Sequence, residues 1–345
     1  MSFETLQLRR RMDMERKNEV LLLTKEQIQP ILTMEDTITV VEEGFRAFNS
    51  GRTVIPFPLS LEIKENRGEV HIKPGYLKGS DNYCIKIASG FYENPKIGLP
   101  SSGGMMLLFD AKTGVPRSLL VDRGFITDMR TAGAGALAAR CLAKKSVENV
   151  AVIGTGTQAR LQIEALSKVR DFRVLKVWGR TPTNVERYVE HMRQKLTAEI
   201  IPASSVEEAV KNCEVLVTAT PSTSPLVKTE WVEKGMHITA MGADSPEKQE
   251  LETGVLGIAD KIVVDSVKQC VRLGEVHHAV EDGMISVEDI YSELGEILLG
   301  LKNGRESEEE ITVCDLTGIA AQDAVTSQLV YERALKEKIG SYITI

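Results

Sequence analysis

Two hydrophobic rhythms divide this chain. Between residues 54 and 121, short runs mix apolar and polar positions: Ser60-Leu-Glu-Ile, Glu69-Val-His-Ile-Lys, Tyr83-Cys-Ile-Lys-Ile-Ala, Met105–Phe109 and Ser118–Val121. Pro56, Pro58, Pro74 and several glycines punctuate them, and Asp110-Ala-Lys-Thr-Gly114 joins two of them as a turn. Such runs predict strands. Beyond residue 145 compact apolar runs stand at 150–153, 174–178, 215–218, 237–241, 262–264 and 311–314, with helical spacing between most of them. That alternation predicts a doubly wound parallel sheet. Helices are expected over 24–50, with a connection at Met34–Thr37, over the Ala-rich stretch 125–143, and over 319–338. Residues 1–19 read as a polar extension. The last helix lies beyond the final apolar run, where it can return to the first domain.

The sharpest local signal is Asn149–Val169, where the apolar run Val150–Ile153 enters Gly154-Thr155-Gly156-Thr157-Gln158-Ala159 and then a helical pattern. Strand, glycine turn and helix open a dinucleotide-binding βαβ unit. Gly154 permits the tight turn, Gly156 lets backbone approach a pyrophosphate, and Ala159 packs helix on strand. The helix start, with Thr157 and Gln158, offers free N–H groups to phosphate. The fold class expected is therefore α/β, a Rossmann-type doubly wound domain beside an α+β domain.

The second strand of that unit, Val174–Trp178, ends in Gly179-Arg180-Thr181-Pro182 with no carboxylate to hold a ribose 2′-OH. An arginine there suits a 2′-phosphate. Arg180 and Thr181 thus favour NADP(H) and leave NAD(H) open. Thr220-Pro221-Ser222, Gly242 and Asp315-Leu-Thr317-Gly318 follow later strands and are the other nucleotide-lining candidates.

Composition narrows the class. A formal charge of −7 over 345 residues argues against nucleic-acid binding. No apolar run approaches the ~20 residues that span a bilayer. Arg9–Arg11 precede no apolar core, so a secretory signal is not expected. Five scattered cysteines without a C-x-x-C spacing read as reduced thiols of a cytoplasmic protein. No metal is expected. The Leu273-Gly-Glu275-Val-His277-His278 block lacks a third ligand at workable spacing, so Glu275 and the histidines are read either as structural or as supporting a site from behind its contacting residues.

Three residues carry candidate chemistry. Lys86 lies inside an apolar strand, where burial would tune it for proton transfer, or it is an edge lysine facing water. Arg130, in Asp128-Met-Arg-Thr-Ala-Gly near a helix start, suits an anion. Asp244 follows a strand in Met-Gly-Ala-Asp-Ser-Pro, where it either manages protons at a bound amine or caps a helix.

Taken in order, Ile85-Lys-Ile-Ala, Gly98-Leu-Pro-Ser-Ser, Thr127-Asp-Met-Arg-Thr-Ala, Gly154-Thr-Gly-Thr-Gln-Ala, Gly242-Ala-Asp-Ser-Pro-Glu-Lys-Gln-Glu-Leu, Leu273-Gly-Glu and Leu316-Thr-Gly resemble the ornithine cyclodeaminase/μ-crystallin family. The resemblance runs over about Leu21–Leu335. It implies residues 1–145 with 319–345 as a substrate-binding and dimerisation domain, 146–318 as the dinucleotide domain, a homodimer, and a site between the domains. It implies that Lys86 and Arg130 hold or polarise the carboxylate of a small amino or imino acid, with Ser101 nearby, and that Asp244 serves the amine. Hydride transfer at the α-carbon would then lead to cyclodeamination or dehydrogenation, with imine reduction, or nucleotide binding with little turnover, as alternatives.

One departure stands out. Pro58, in Ile55-Pro-Phe-Pro-Leu, occupies the place where the family usually has a carboxylate-binding arginine. Lys73, or His71, in His71-Ile-Lys-Pro, is expected to supply the missing cation.

Overall fold

Residues 18–345 are described in the computed structural model. Of the extension expected over 1–19, residues 1–17, with Arg9–Arg11, lie outside them. The described chain packs as two compact units: residues up to Leu32 with Val54–Phe125 and Ser327–Ile345, and Thr33–Thr53 with Ile126–Thr326.

The first unit is built on a sheet of β1 (Glu19–Thr24), β2 (Leu59–Ile63), β3 (Gly68–Leu77), β4 (Asn82–Phe91), β5 (Ser102–Asp110) and β6 (Pro116–Val121). A closing strand, Ser341–Thr344, adds to the edge of β1. The order is closing strand, β1, β6, β5, β4, β3, with β2 antiparallel on β3. β1 and β6 run parallel, and the pairings of the closing strand with β1 and along the run β2-β3-β4-β5-β6 are antiparallel. Two of these strands carry no sequence signal of their own. Val20–Leu23 runs directly into a helical stretch, and the closing strand is exposed throughout. Leu21, Leu23, Met106, Leu108 and Leu120 are buried in this unit. Residues 327–337 of the last helix belong to it: Asn82 Nδ2 donates to Gln328 Oε1 (3.0 Å), and Arg333 to Ile31 O (2.8 Å).

The second unit carries β7 (Asn149–Ile153), β8 (Val174–Trp178), β9 (Glu199–Pro202), β10 (Val215–Thr218), β11 (Thr223–Val227), β12 (His237–Ala240), β13 (Gln249–Leu251), β14 (Lys261–Val264), β15 (Ile290–Glu293) and β16 (Thr312–Asp315). Eight of them form one wholly parallel sheet in the order β9-β8-β7-β10-β12-β16-β14-β15. Apolar runs buried on both faces are what such a sheet needs. The order reverses between β7 and β10, which places a ligand crevice at the carboxyl ends there. β11 and β13 form a separate pair. β9, β11, β13 and β15 are the strands the apolar runs do not announce, being short and rich in polar residues or proline.

The longer helices are α1 (Met34–Asn49), α2 (Phe125–Leu142), α3 (Thr157–Leu166), α4 (Pro182–Arg193), α5 (Gly274–Glu281) and α6 (Ala320–Glu337). Two expectations change. Met34–Thr37 is the first turn of α1, not a connection, because Thr33 Oγ1 accepts from Asp36 N (3.2 Å) and caps the helix. Packing also divides the chain elsewhere than at 145 and 319. The small residues of α2 draw it to α1 and α3: Gly133 faces Thr37 and Val41, and a Cβ on Gly135 would overlap the Gln162 amide. Both α1 and α2 therefore cluster with the parallel sheet.

Candidate functional site

The glycine turn is shaped by close approach. Gly154 has φ 127, and a Cβ there would stand 2.6 Å from Ala219 O, just beyond β10. Glycine is required on both counts. Gly154 N donates to Trp178 O (2.8 Å), tying the turn to β8. Gly156 is the N-cap of α3, and nothing lies within 4 Å of a Cβ placed on it. The first N–H groups of α3, beginning at exposed Thr157, thus open to solvent where a diphosphate would sit. Ala159 is fully buried, and Tyr188 Oη donates to its carbonyl (3.1 Å). Gln158 turns away from the turn, donating to Asp128 Oδ1 (3.0 Å) at the start of α2.

The neighbouring strand ends converge on this turn. A Cβ on Gly179 would stand 2.6 Å from Thr155 Cγ2, so the residue before exposed Arg180 packs on the glycine loop. Thr181 is the N-cap of α4, with Pro182 in its first turn. Thr220 follows β10 and Gly242 follows β12, and a Cβ on Gly242 would overlap Thr220 O. Ser222 N donates to Thr220 Oγ1 (3.3 Å), with exposed Pro221 between them. The structure thereby brings together Gly154, Gly156, Thr157, Arg180, Thr220 and Gly242. Thr317 sits apart in a buried network, accepting from Gln269 Nε2 (2.7 Å) and donating to Asp265 Oδ1 (3.1 Å).

Glu250, on β13, went unread in the sequence. It is fully buried, and its Oε1 accepts from Thr220 N (2.6 Å) and its Oε2 from Gly242 N (2.9 Å). Burial pushes its carboxyl up to about 7, against the pull of those bonds. Glu275, expected to be structural, holds β13 itself: Glu250 N and Leu251 N donate to its two oxygens (2.8 and 3.0 Å). Val276 N donates to Asp315 Oδ2 (2.9 Å). Burial, with the neighbouring carboxylates behind it, raises both Glu275 and Asp315 well above the usual range.

Asp244 is half exposed and pairs with Lys248 Nζ at 2.6 Å. Arg130 is buried. Its Nε lies 2.8 Å from Asp323 Oδ1, a contact of charge rather than an aligned hydrogen bond, and its Nη1 donates to Gln322 Oε1 (2.8 Å). Gly318, at φ 84, packs directly on the guanidinium.

The first unit gathers cations on one sheet face. Lys86 lies on β4 between β3 and β5 and is 2% exposed, which removes the edge-lysine reading. The register sets Lys86 opposite Lys73 on β3 and Met106 on β5. Directly opposed side chains share a face, and like charges so placed repel. His71, on the same face of β3, meets Ser60 Oγ through Nδ1 (3.0 Å), and its Nε2 lies 3.6 Å from Glu69. Ser101 accepts from Phe91 N through its carbonyl (2.7 Å).

His277, His278 and Glu281 bring ligand-type atoms within 4.8 Å of one another. Glu281, 3.6 Å from His277 Nε2, is the third ligand-type group that the sequence reading found missing, while His278 Nε2 is already engaged by Lys248 O (2.9 Å). Among the described residues, no helix is long and apolar enough to cross a membrane.

Known proteins resemble this chain in sequence and fold. The alanine dehydrogenase of Archaeoglobus fulgidus is 40% identical over 94% of this chain and 98% of its own length. The solved archaeal alanine dehydrogenase dimer with bound NAD superposes with a TM-score of 0.90, at 39% identity over 95% of this chain and 99% of that one. The Thermococcus litoralis Δ1-pyrroline-2-carboxylate reductase, solved with NADH and L-proline, also gives 0.90, at 34% identity over 93% and 99%. The profile of the ornithine cyclodeaminase/mu-crystallin family matches residues 18–338. With the glycine turn, the parallel sheet and this match in agreement, the chain belongs to the ornithine cyclodeaminase/mu-crystallin family.

Proposed function

We propose that this protein is an NAD(P)-dependent enzyme that exchanges a hydride at the α-carbon of a small amino or imino acid, with amino acid dehydrogenation as its net reaction. The observation that carries the reading is the switch-point loop: Gly154, at φ 127, leads into the open N-terminus of α3 at Gly156, which suits a dinucleotide diphosphate. On the first unit's sheet, Lys86 and Lys73 stand opposite one another on one face, and their cationic side chains suit a substrate carboxylate. Lys73 would supply the cation that the family's arginine gives, at the place where this chain has Pro58. Arg130, held by Asp323 and Gln322, is a third cation assigned to carboxylate binding.

The switch-point loops fit a nicotinamide dinucleotide: Gly156 leaves its approach open, and the N–H groups of α3 suit the diphosphate. When bound, that cofactor supplies the hydride chemistry. The protein's part is to hold and to move protons. Lys86 and Lys73 orient the carboxylate, and Asp244, ion-paired with Lys248, accepts the proton leaving the amine. In balance, an amino acid, water and NAD(P)+ give a 2-oxo acid, ammonium, NAD(P)H and a proton. The alanine dehydrogenase relatives support this outcome. The pyrroline-2-carboxylate reductase neighbour supports the same site run as an imine reductase, and cyclodeamination needs only a substrate amine to replace the water.

A panel of small amino acids and cyclic imines, followed by reduced-nicotinamide absorbance and by mass spectrometry, separates these. Net absorbance change with an oxo acid supports dehydrogenation. Consumption of reduced cofactor with a cyclic imine supports reduction, and a cyclised product with no net change supports cyclodeamination. Tight nucleotide binding without turnover would sink the enzymatic reading.

Arg180 supports NADP(H), although NAD appears with the solved relatives. We expect Arg180→Ala to lower the NADPH-over-NADH affinity ratio by about tenfold, the value of one charged contact. An unchanged ratio in paired calorimetric titrations would return the preference to NAD(H).

A further inference from the structure

We propose that Glu250 is a positioning residue: its carboxylate clamps the loops that follow β10 and β12 into the shape that receives the dinucleotide, and a proton on that carboxyl releases the clamp. The proposal rests on the nucleotide-binding reading above and adds its regulation.

The geometry is a relay of three buried carboxylates, each holding the backbone of the next element. Asp315, at the end of β16, accepts from Val276 N at the start of α5. Glu275, in the first turn of α5, accepts from Glu250 N and Leu251 N on β13. Glu250 then reaches across the strand ends, with one oxygen on Thr220 N and the other on Gly242 N. The two loops it joins cross so closely that a Cβ on Gly242 would overlap both Glu250 and Thr220 O. The same loops carry Thr220–Ser222 and, two residues after Gly242, Asp244.

An ionised carboxylate accepts at both oxygens. A protonated one keeps a full acceptor at its carbonyl oxygen but only a weaker acceptor at its hydroxyl oxygen, so the bond to one of the two N–H donors weakens. The groups facing Glu250 are Glu275 and, behind it, Asp315 and Asp265, all of them acidic. Lys248, on the same segment, is turned to Asp244. Glu275 and Asp315 are raised well above the usual range, whereas the Glu250 carboxyl is pushed up to about 7 and titrates where the protein would work. Its clamp is complete above that pH and opens below it. Because nucleotide favours the clamped form, binding near pH 7 should expel a proton.

Calorimetric titration with NAD+ and with NADH, neither of which titrates between pH 6 and 8, tests this in wild type and in Glu250→Gln. The amide is a fixed copy of the protonated carboxyl. Wild type is expected to lose up to about tenfold in affinity from pH 8 to pH 6. At pH 7 its heat of binding should vary with the ionisation enthalpy of the buffer, reporting up to about half a proton released. E250Q is expected to bind at pH 8 as weakly as wild type does at pH 6, with no pH dependence and no proton release. A pH response that persists in E250Q, or E250Q affinity equal to wild type at pH 8, would overturn the clamp while leaving nucleotide binding intact. Absence of binding by wild type at every pH would overturn the nucleotide reading and the clamp with it. If E250Q does not fold, the wild-type pH series and proton count decide alone: a flat series without proton release overturns the proposal.

Discussion

Lys73 and Lys86 illustrate how little a residue's meaning is fixed by its own surroundings in sequence. Lys86 stands out inside an apolar strand and Lys73 does not, and only the β3–β4 register sets them opposite one another. If their shared face receives a carboxylate, Lys73→Met should lower kcat/KM for an amino acid by tenfold to a hundredfold, mostly through KM, since it removes one charged contact. An unchanged KM would take Lys73 out of the site. Asp244→Asn keeps the shape and removes the proton acceptor. We expect a loss of at least about a hundredfold in kcat with nucleotide affinity nearly intact, and a full-rate variant would remove Asp244 from the mechanism. Gly154 was readable in advance because its constraint is local and steric. Glu250 was not, because its two partners lie 8 and 30 residues away and nothing in Gln249-Glu-Leu251 announces a bridge.

At the scale of elements, turns and caps carry their own chemistry. Asp110 closes the β5–β6 turn. Its Oδ1 accepts from the N–H groups of Lys112 and Thr113, and its Oδ2 from Arg117 (2.6 Å). Burial opposes its charge, but Arg117 and the turn outweigh it and hold the carboxyl down to about 2. A depressed carboxyl stabilises the fold above its ordinary range and ceases to do so as pH falls through the folded value. Asp110→Asn should therefore cost about 2 kcal/mol at pH 7, and the difference should vanish near pH 2. Urea unfolding at both pH values checks the sign, and an equal loss at both would refute it. The Asp110–Gly114 turn was legible from its residues, as were the buried parallel strands. The short strands β9, β11, β13 and β15 were not, because polar residues fill them and pairing alone makes them strands.

Across the whole molecule, one exposed strand face bears on assembly. Val54, Leu59 and Leu61 are each more than half exposed. Leu59 and Leu61 stand on one face of β2, backed by Ile72 and Val70 across the pair with β3. An apolar strand face of this kind suits a second copy of the chain. Leu59→Glu with Leu61→Glu is expected to shift the protein from dimer to monomer in analytical ultracentrifugation. A double variant that sediments as wild type would place any dimer contact elsewhere.

The bond from Arg333 to Ile31 O closes a span of 302 residues, and the closing strand pairs Ser341–Thr344 with the first described strand. Gly340, at φ 106, lets the chain turn back tightly over Leu21 and Leu23. Of the two units, the one whose chain starts earlier is thus the one completed later. Its sheet waits, with the β1 edge uncovered, while the parallel sheet that interrupts it is synthesised and can fold on nearer contacts. Chaperone demand and aggregation during synthesis should concentrate in that interval, and shortening the chain by its last strand would prolong it indefinitely.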